Sequence, residues 1–535
     1  MISEISQLKK GEIGLPLSTK TGEYLFILCF PGSYALGMAS LGYQSVMKLV
    51  FDTPNWRIER YFSDTGDRTL ENGYHLASAD IIGFSIGFEI EIFSLIRMLQ
   101  GSGMSVFSQD RTEHNPWIVI GGSLAALNPE IIAPFADIIV IGESEEIIPL
   151  LLDAWEESDR FGFTRREALL YFSRFPGLYI PQLYHPHYQG STLIGFEKEK
   201  IAPEQVKRQW VDINRFETRT YLYTPHSHFT NTALMEINRG CHYRCRFCAG
   251  SIIYRPLRQR NSEIIADMID HLRSFSDHMG IVGADVLSHP EWADIMNYLI
   301  KRSITTNFSS LSAVTLFHQP DYLPLLSRLG LKTLTLAPES GDELSRKLLG
   351  KDLSNEEWLT LLQQIFNYSI PKVKLYFMLG NPTSSAENDL EFLDSICRRT
   401  GCQDRLMVSY SFLVPKPQTA LESMRTPLFS LWKKEKEIFE KGLKKLRIRF
   451  SGESLRVAWI ELILARGDRQ LAQVIPSLLK KGTGLSFDQW RSGLESIGRD
   501  LDQWPRQPWG YGFFPWSIID KGIGKIYCTI HKEAD

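Results

Sequence analysis

Two blocks of the chain alternate short apolar runs with amphipathic helical stretches, and this alternation decides the fold class. Between Glu23 and Trp155 the runs are YLFILCF (Tyr24 to Phe30), DIIGFSI (Asp80 to Ile86), PWIVIGG (Pro116 to Gly122) and DIIVIGE (Asp137 to Glu143). Strands this apolar have no face to give to water, so both faces must be covered, and the intervening helices supply the cover. The expected product is an α/β domain, a doubly wound parallel sheet with any ligand in the crevice at the carboxyl ends of its strands. Gly121, Gly122 and Gly142 close the last two runs. A residue without Cβ there either lets a bulky ligand approach the backbone or makes a tight turn.

The second block runs from Thr232 to about Leu413. Its candidate strands are TALMEIN (232–238), GIVGAD (280–285), ITTNFSS (304–310), TLTLAPES (333–340), VKLYFMLG (373–380) and LMVSYSFLV (406–414). Among the helices between them, NEEWLTLLQQIFNY places Trp358, Leu361, Leu362, Ile365 and Phe366 on one stripe. Six βα units imply a partial (βα)6 barrel of the TIM type, with its site at the carboxyl ends of the strands. The expected organisation is a doubly wound, Rossmann-type sheet domain over residues 1–158, a connector over 159–230, a barrel over 231–425 and a helical or irregular accessory region over 426–535.

With 535 residues, 43% hydrophobic and 23% charged, each domain can bury a core. A net charge of −3 favours neither nucleic acid nor membrane as a partner. MISEISQLKKGEIG lacks the apolar core of a secretory signal, and no run approaches the length of a membrane span, so the expected location is cytoplasmic. Seven cysteines, an odd number with three clustered, do not form a disulfide framework.

The clustered three are Cys241, Cys245 and Cys248 in RGCHYRCRFC, on the loop after the first barrel strand. A structural zinc site closes with four ligands, usually two separated pairs, and no second pair is near; His242 directly follows Cys241 and is badly spaced to complete a tetrahedron. An electron-transfer iron–sulfur cluster also takes four cysteines. Three thiolates leave one iron of such a cluster open, where a ligand can bind and be activated.

The Cys-x3-Cys-x2-Cys spacing with Phe247 before the last cysteine resembles the signature of the radical S-adenosylmethionine (SAM) enzymes. That resemblance implies a [4Fe-4S] cluster on Cys241, Cys245 and Cys248, whose open iron chelates the amino and carboxylate groups of SAM. It implies one-electron cleavage of the sulfonium to a 5′-deoxyadenosyl radical that abstracts hydrogen. It also implies a one-electron donor such as flavodoxin or ferredoxin. The SAM positions it assigns are Gly283 and Asp285 in GIVGAD, where the family carries a Gly-Gly-Glu-like segment, and Glu339 and Ser340 in TLAPESG. Gly380 in FMLGNPT would shape a loop beside the adenine, and Phe247 would act through its main chain. For Glu339 a salt bridge to a barrel arginine is the alternative.

RGCHYRCRFCAGSIIYRPLRQR, LAPESGDELSRKLLGK, KLYFMLGNPT and VPKPQT together resemble the poorly characterised radical SAM proteins that carry an N-terminal cobalamin-binding domain. Cobalamin is therefore expected, with Ser85 and the Gly121–Gly122 turn flanking the nucleotide tail and Tyr34 to Met38 beneath the corrin. The place of the cobalt-binding Asp-x-His-x-x-Gly reads PGSYALG, without histidine. Either cobalamin binds with no protein histidine below it, or the domain does without cobalamin. The first case implies methyl transfer to an unactivated carbon or phosphorus. The second leaves the sheet domain as a lid over a rearrangement, oxidation or cyclisation, and a non-catalytic scaffold or redox sensor is the remote third reading.

Fainter signals are the lysine-rich LWKKEKEIFEKGLKKLRIRF, a solvated helix face or an anionic contact, and YRPLRQR, whose arginines hold an anion or make structural ion pairs. His185 and His187 read as surface residues, and Cys29 as a core thiol close to the cobalamin pocket. No clear nucleic-acid-binding domain is present, and the substrate is not named by the sequence.

Overall fold

The computed structural model describes residues 7–309, 311–479, 484, 486–506 and 513–520; Cys528 lies outside them. The first sheet contains β1 (Tyr24–Phe30), β2 (Trp56–Phe62), β3 (Ile81–Ser85), β4 (Trp117–Gly121), β5 (Ile138–Val140) and β6 (Leu178–Tyr179). Their order is β2-β1-β3-β4-β5-β6, parallel throughout except for β6, which pairs antiparallel with β5. The order reverses between β1 and β3, so the ligand crevice of this doubly wound fold falls at the carboxyl ends of those two strands.

Two of these strands were hidden in the sequence. WRIERYF carries Arg57, Glu59 and Arg60, which interrupt any apolar run, yet the strand is almost wholly buried. Its charges are neutralised in place: Arg60 donates from Nε to Glu71 (2.8 Å) and from Nη1 to Glu12 (2.7 Å). Glu59 accepts from the Asn72 backbone at 3.0 Å. The short β6 belongs to the expected connector, so the sheet continues past residue 158. Helices α1 (Leu41–Asp52) and α3 (Ser144–Arg160) pack on each other, whereas α2 (Ile92–Gly101) packs on a later helix, Arg469–Leu479.

The second block forms two parallel sheets. β7 (Ala233–Glu236), β8 (His278–Val282) and β9 (Thr305–Phe308) make one. β10 (Thr333–Glu339), β11 (Lys372–Leu379), β12 (Leu406–Phe412) and β13 (Arg449–Gly452) make the other. The six expected strands are all present. The seventh, β13, was not expected, and it carries the barrel layer beyond residue 425 into the region read as accessory. Helix α4 (Ser262–Leu272) follows the cysteine loop. After β10 come α5 (Glu343–Leu349) and α6 (Asn355–Phe366), the latter started by Ser354, whose hydroxyl accepts from the Glu357 N–H while Glu357 accepts from the Ser354 N–H at 2.7 Å. Between β11 and β12 lies α7 (Ala386–Thr400).

Helix α8 (Phe429–Lys445) contains the lysine-rich stretch, and it is a barrel helix: Trp432, Phe439 and Leu443 are buried. Phe439 meets Phe377 of β11 and Tyr410 of β12, each at 5.7 Å between ring centroids. Its lysines lie on the outer face with i,i+4 glutamates such as Glu437 and Glu440, which is the solvated-face reading.

The two sheet domains are joined at the site end. Lys416 Nζ stands 2.8 Å from both carboxylate oxygens of Glu89 and 2.6 Å from Glu461. Gln418 donates to the Ala126 and Leu127 carbonyls, and Arg258 bridges to Glu143 at 2.6 Å. Arg260 is buried and spends its guanidinium on the Glu236, Ile213 and Phe216 carbonyls. At these two positions YRPLRQR thus supplies structural contacts. His185 and His187 lie on an exposed hairpin, where His187 faces Glu197. No helix among the described residues is long and apolar enough to cross a membrane.

Candidate metal and cofactor site

The cysteine loop leaves β7 and returns through the short helix Gly250–Ile253. Cys241, Cys245 and Cys248 are free thiols, each half-buried. The loop is pinned from both sides. Arg246 N–H donates to the Leu349 carbonyl at 3.0 Å, and Cys245 Sγ lies 3.8 Å from the Gly350 carbonyl oxygen. Gly350 ends α5 at φ +82°, and a Cβ there would press into the Arg244 carbonyl and Cys245 Cα, so glycine permits the close approach of helix end to loop. Phe247 packs with Leu349, Met378, Leu413, Leu421 and Met424, an apolar pad under the loop.

Burial pushes the Cys241 thiol up to about 11, and charge on Cys245 and Cys248 pushes it the same way. Burial likewise raises Cys245, opposed by Lys351. Three thiols this close cannot all ionise cheaply without a cation among them. Among the described residues no three His, Cys, Asp or Glu side chains are already drawn together as metal ligands.

Asp285 is 2% exposed, at the end of β8. Neither of its carboxylate oxygens accepts a well-formed hydrogen bond, although His242 Nδ1 stands 3.2 Å from Oδ2. A buried carboxylate without donors is costly, and burial raises its pKa against the pull of His242. Gly283 is required by the neighbour behind it, since a Cβ would collide with Asn238 Oδ1.

Glu339 ends β10 in the left-handed region, φ +70°, at an irregularity in the β10–β11 register. It is buried, its pKa raised by burial and lowered in part by Lys351, whose Nζ lies 3.3 Å away. Glu339 makes an ion pair, but with Lys351 rather than the expected barrel arginine, and no sequence signal had pointed to Lys351. The same ammonium lies 5.8 Å from the Phe247 ring centroid and is favoured by charge on Cys245 and Cys248. Ser340 is turned elsewhere: its hydroxyl meets Ser384 (2.8 Å) and Asp389 (3.1 Å) inside the barrel wall. Gly380 has φ +76°, and a Cβ would strike the Trp432 ring of α8. Its role visible in the structure is to let α8 close over β11.

Cys241, Cys245, Cys248, Phe247, Asp285 and Glu339 are thus gathered at the carboxyl end of the barrel. The residues assigned to cobalamin divide. Ser85 and Gly121 are paired in register at the carboxyl edge of the first sheet, half-exposed. Exposed Leu36, on the short helix Tyr34–Met38 after β1, and exposed Phe88, on the loop after β3, stand at this edge. Gly122, at φ +108°, is used to pass the Ile86 carbonyl. Tyr34 and Met38 are core: the Tyr34 hydroxyl meets Glu12 at 2.5 Å and Arg60 donates to Met38 Sδ at 3.3 Å. Neither reaches the crevice, which corrects their assignment to the lower face of a corrin. Cys29 is fully buried within β1, its thiol pushed up by burial.

Residues 235–396 match the radical SAM superfamily, and residues 42–181 match the N-terminal region of radical SAM proteins. The chain carries a radical SAM domain over residues 235–396. An uncharacterised protein of Methanocaldococcus jannaschii is 26% identical over 456 residues, 84% of this chain and 90% of that one. The anaerobic magnesium-protoporphyrin IX monomethyl ester cyclase of Rubrivivax gelatinosus is 22% identical over 297 residues, 53% of this chain and 50% of the cyclase. The chain therefore spans about half the length of that enzyme. The radical SAM methyltransferase TsrM of Kitasatospora setae, solved with tryptophan and a SAM analogue, aligns with a TM-score of 0.48 at 11% identity, covering 72% of each chain. The cobalamin-dependent radical SAM enzyme OxsB with aqua-cobalamin aligns at 0.46 and 16% identity, covering 78% of this chain and 56% of that one. Membership of the radical SAM superfamily implies a [4Fe-4S] cluster and SAM.

Proposed function

We propose that this radical SAM protein holds its [4Fe-4S] cluster on Cys241, Cys245 and Cys248 and turns it over against SAM bound beside Asp285 and Glu339. The observation that carries the reading is the buried carboxylate of Asp285, faced by His242 and lacking a well-formed hydrogen bond, at the end of the strand beside the one that leads into the three thiols. Held on those cysteines, the cluster would supply the single electron that reductive cleavage of a sulfonium needs. The chain's residues do the rest. Asp285 receives the SAM ammonium, His242 limits the cost of its charge, and Lys351 holds Glu339 towards the mouth of the barrel. Phe247 and Met378 keep the region apolar, which protects a radical from water and stray hydrogen donors. Binding of SAM to cluster-loaded protein tests the assignment: Asp285→Asn should weaken it about tenfold or more, and unchanged affinity would remove Asp285 from the site.

For the first domain, the docking of Lys416 on Glu89 and of Gln418 on the 126–127 carbonyls supports a lid that closes the barrel mouth. Cobalamin-dependent methyl transfer is the second reading, favoured by exposed Leu36 and Phe88 beside the crevice and by Ser85 and Gly121 at the sheet edge. Cobalt content after growth with cobalamin separates them. About one cobalt per chain supports the methyltransferase, and none after reconstitution supports the lid.

A further inference from the structure

The inner face of the barrel has a chemical character that the cysteine loop does not explain. On β11 the residues Val373, Leu375, Phe377 and Leu379 are buried under helices, whereas Lys374 is half-exposed and Tyr376 exposed. Met378, on the same face as Lys374 and Tyr376, packs against Phe247 of the cysteine loop. Side chains alternate along a strand, so this face is the one that looks into the barrel beneath the site. On β12, Tyr410 and Phe412 turn outward to Phe439 and Trp432, leaving Ser409 facing in. The register aligns Tyr376, Ser409 and Ser451 in one row and Lys374, Met407 and Arg449 in the row below it. Ser409 and Ser451 meet at 3.1 Å, and Lys374 Nζ donates to the Tyr376 hydroxyl at 3.0 Å.

Charge on this face has one sign. Along β10 to β13 no inward position below Glu339 carries a carboxylate, and Glu339 is held by Lys351. Lys374 lies 4.6 Å over the Tyr376 ring, and Arg449 is exposed. Strands are spaced by about 4.8 Å, so Lys374 and Arg449, two strands apart, start roughly 10 Å from each other, within reach of one anion held between their long arms. The serine and tyrosine hydroxyls sit one row nearer the cluster loop, where they can bind hydrogen-bonding groups of the same molecule.

We propose that the inner face of β11, β12 and β13 is the substrate site, and that it takes a small hydroxyl-bearing anion whose charged group lies between Lys374 and Arg449. The proposal rests on the barrel being the radical SAM active site and adds the substrate's chemical class. Beyond the Ser409–Ser451 and Lys374–Tyr376 pairs, a wholly apolar substrate would cover two cations without answering their charge. The anion is a phosphate ester or a carboxylate, and the probes separate these.

The test is calorimetric titration of the cluster-loaded protein with glucose 6-phosphate, gluconate and glucose, with iron assayed on the same sample. Saturable binding of either anion, at least about tenfold tighter than glucose, is expected; which one binds says whether the anion is phosphate or carboxylate. The double variant K374M/R449M should lose that preference, and Lys374→Arg should keep it. Equal binding of glucose, binding unchanged in the double variant, or no binding of either anion would overturn the proposal. A sample that carries no iron but still binds the anion would fail the cluster assignment while leaving this site standing.

Discussion

At the residue scale, the site depends on how each buried charge is answered. Asp389 lies behind the site, accepting from the Gly341 N–H at 2.6 Å and from Ser340. Burial pushes its pKa up to about 7, from an ordinary 3.8. Between those values the folded protein holds a proton that the unfolded chain has released. The stability from this group is therefore complete below about pH 4 and is lost as pH rises through 7. Denaturant melts from pH 4 to 8 should show this decline, and Asp389→Asn should flatten it; an unchanged profile would place the carboxyl's pKa nearer its ordinary value. The cysteines were legible because three thiols in eight residues have few other uses. Lys351 was not, because LLGKD reads as the end of a helix, and only the close approach at Gly350 brings its ammonium to Glu339. Tyr34 and Met38 were misplaced for a related reason. The sequence carries no sign that Arg60, inside a strand, needs them and Glu12 as partners.

At the scale of elements, apolar runs revealed β1, β3, β4 and β5 because burial on both faces leaves no polar positions. They failed for β2, whose charges are paired within the core, and for β13, a four-residue strand reading RFSG that has no periodicity to detect. The helix α8 was read correctly as amphipathic, but its place in the barrel follows from contacts with Phe377, Tyr410 and Phe412 that no local pattern encodes. Gly380 is the hinge of that packing. Gly380→Ala adds a methyl group against Trp432 at a left-handed backbone position, and it should destabilise the protein by about 1–3 kcal/mol from overpacking alone. Denaturant unfolding measures this, and a change within about 0.5 kcal/mol would mean that α8 sits further from β11.

At the scale of the whole molecule, the first domain and the barrel are locked by charge across a long sequence separation. Glu89 is 2% exposed, and Lys416, its partner, stands 327 residues away. Removing the ammonium leaves the buried Glu89 and the partly buried Glu461 facing each other without a counter-charge. Lys416→Met should cost about 3–5 kcal/mol. It should also speed hydrogen exchange in residues 86–91 and 414–419 while leaving the strands of both sheets protected. Equal exchange in the variant would mean that other contacts carry the docking. Such a pairing is invisible to motif reading, since neither FEIE nor PKPQ announces a partner. The fold class and the position of the cysteine loop were readable because they follow from local pattern, and the interface was not because it follows from topology.

The central claim is that the three cysteines carry a cluster that cleaves SAM. The measurement is made on protein purified and kept without oxygen: iron and sulfide per chain, then 5′-deoxyadenosine formed from SAM after chemical reduction, for the wild type and for Cys245→Ala. The wild type should carry about four irons and four sulfides per chain and form 5′-deoxyadenosine, and the variant should lose both. Protein that binds no iron after reconstitution, or that holds a cluster in the absence of Cys245, would contradict that claim.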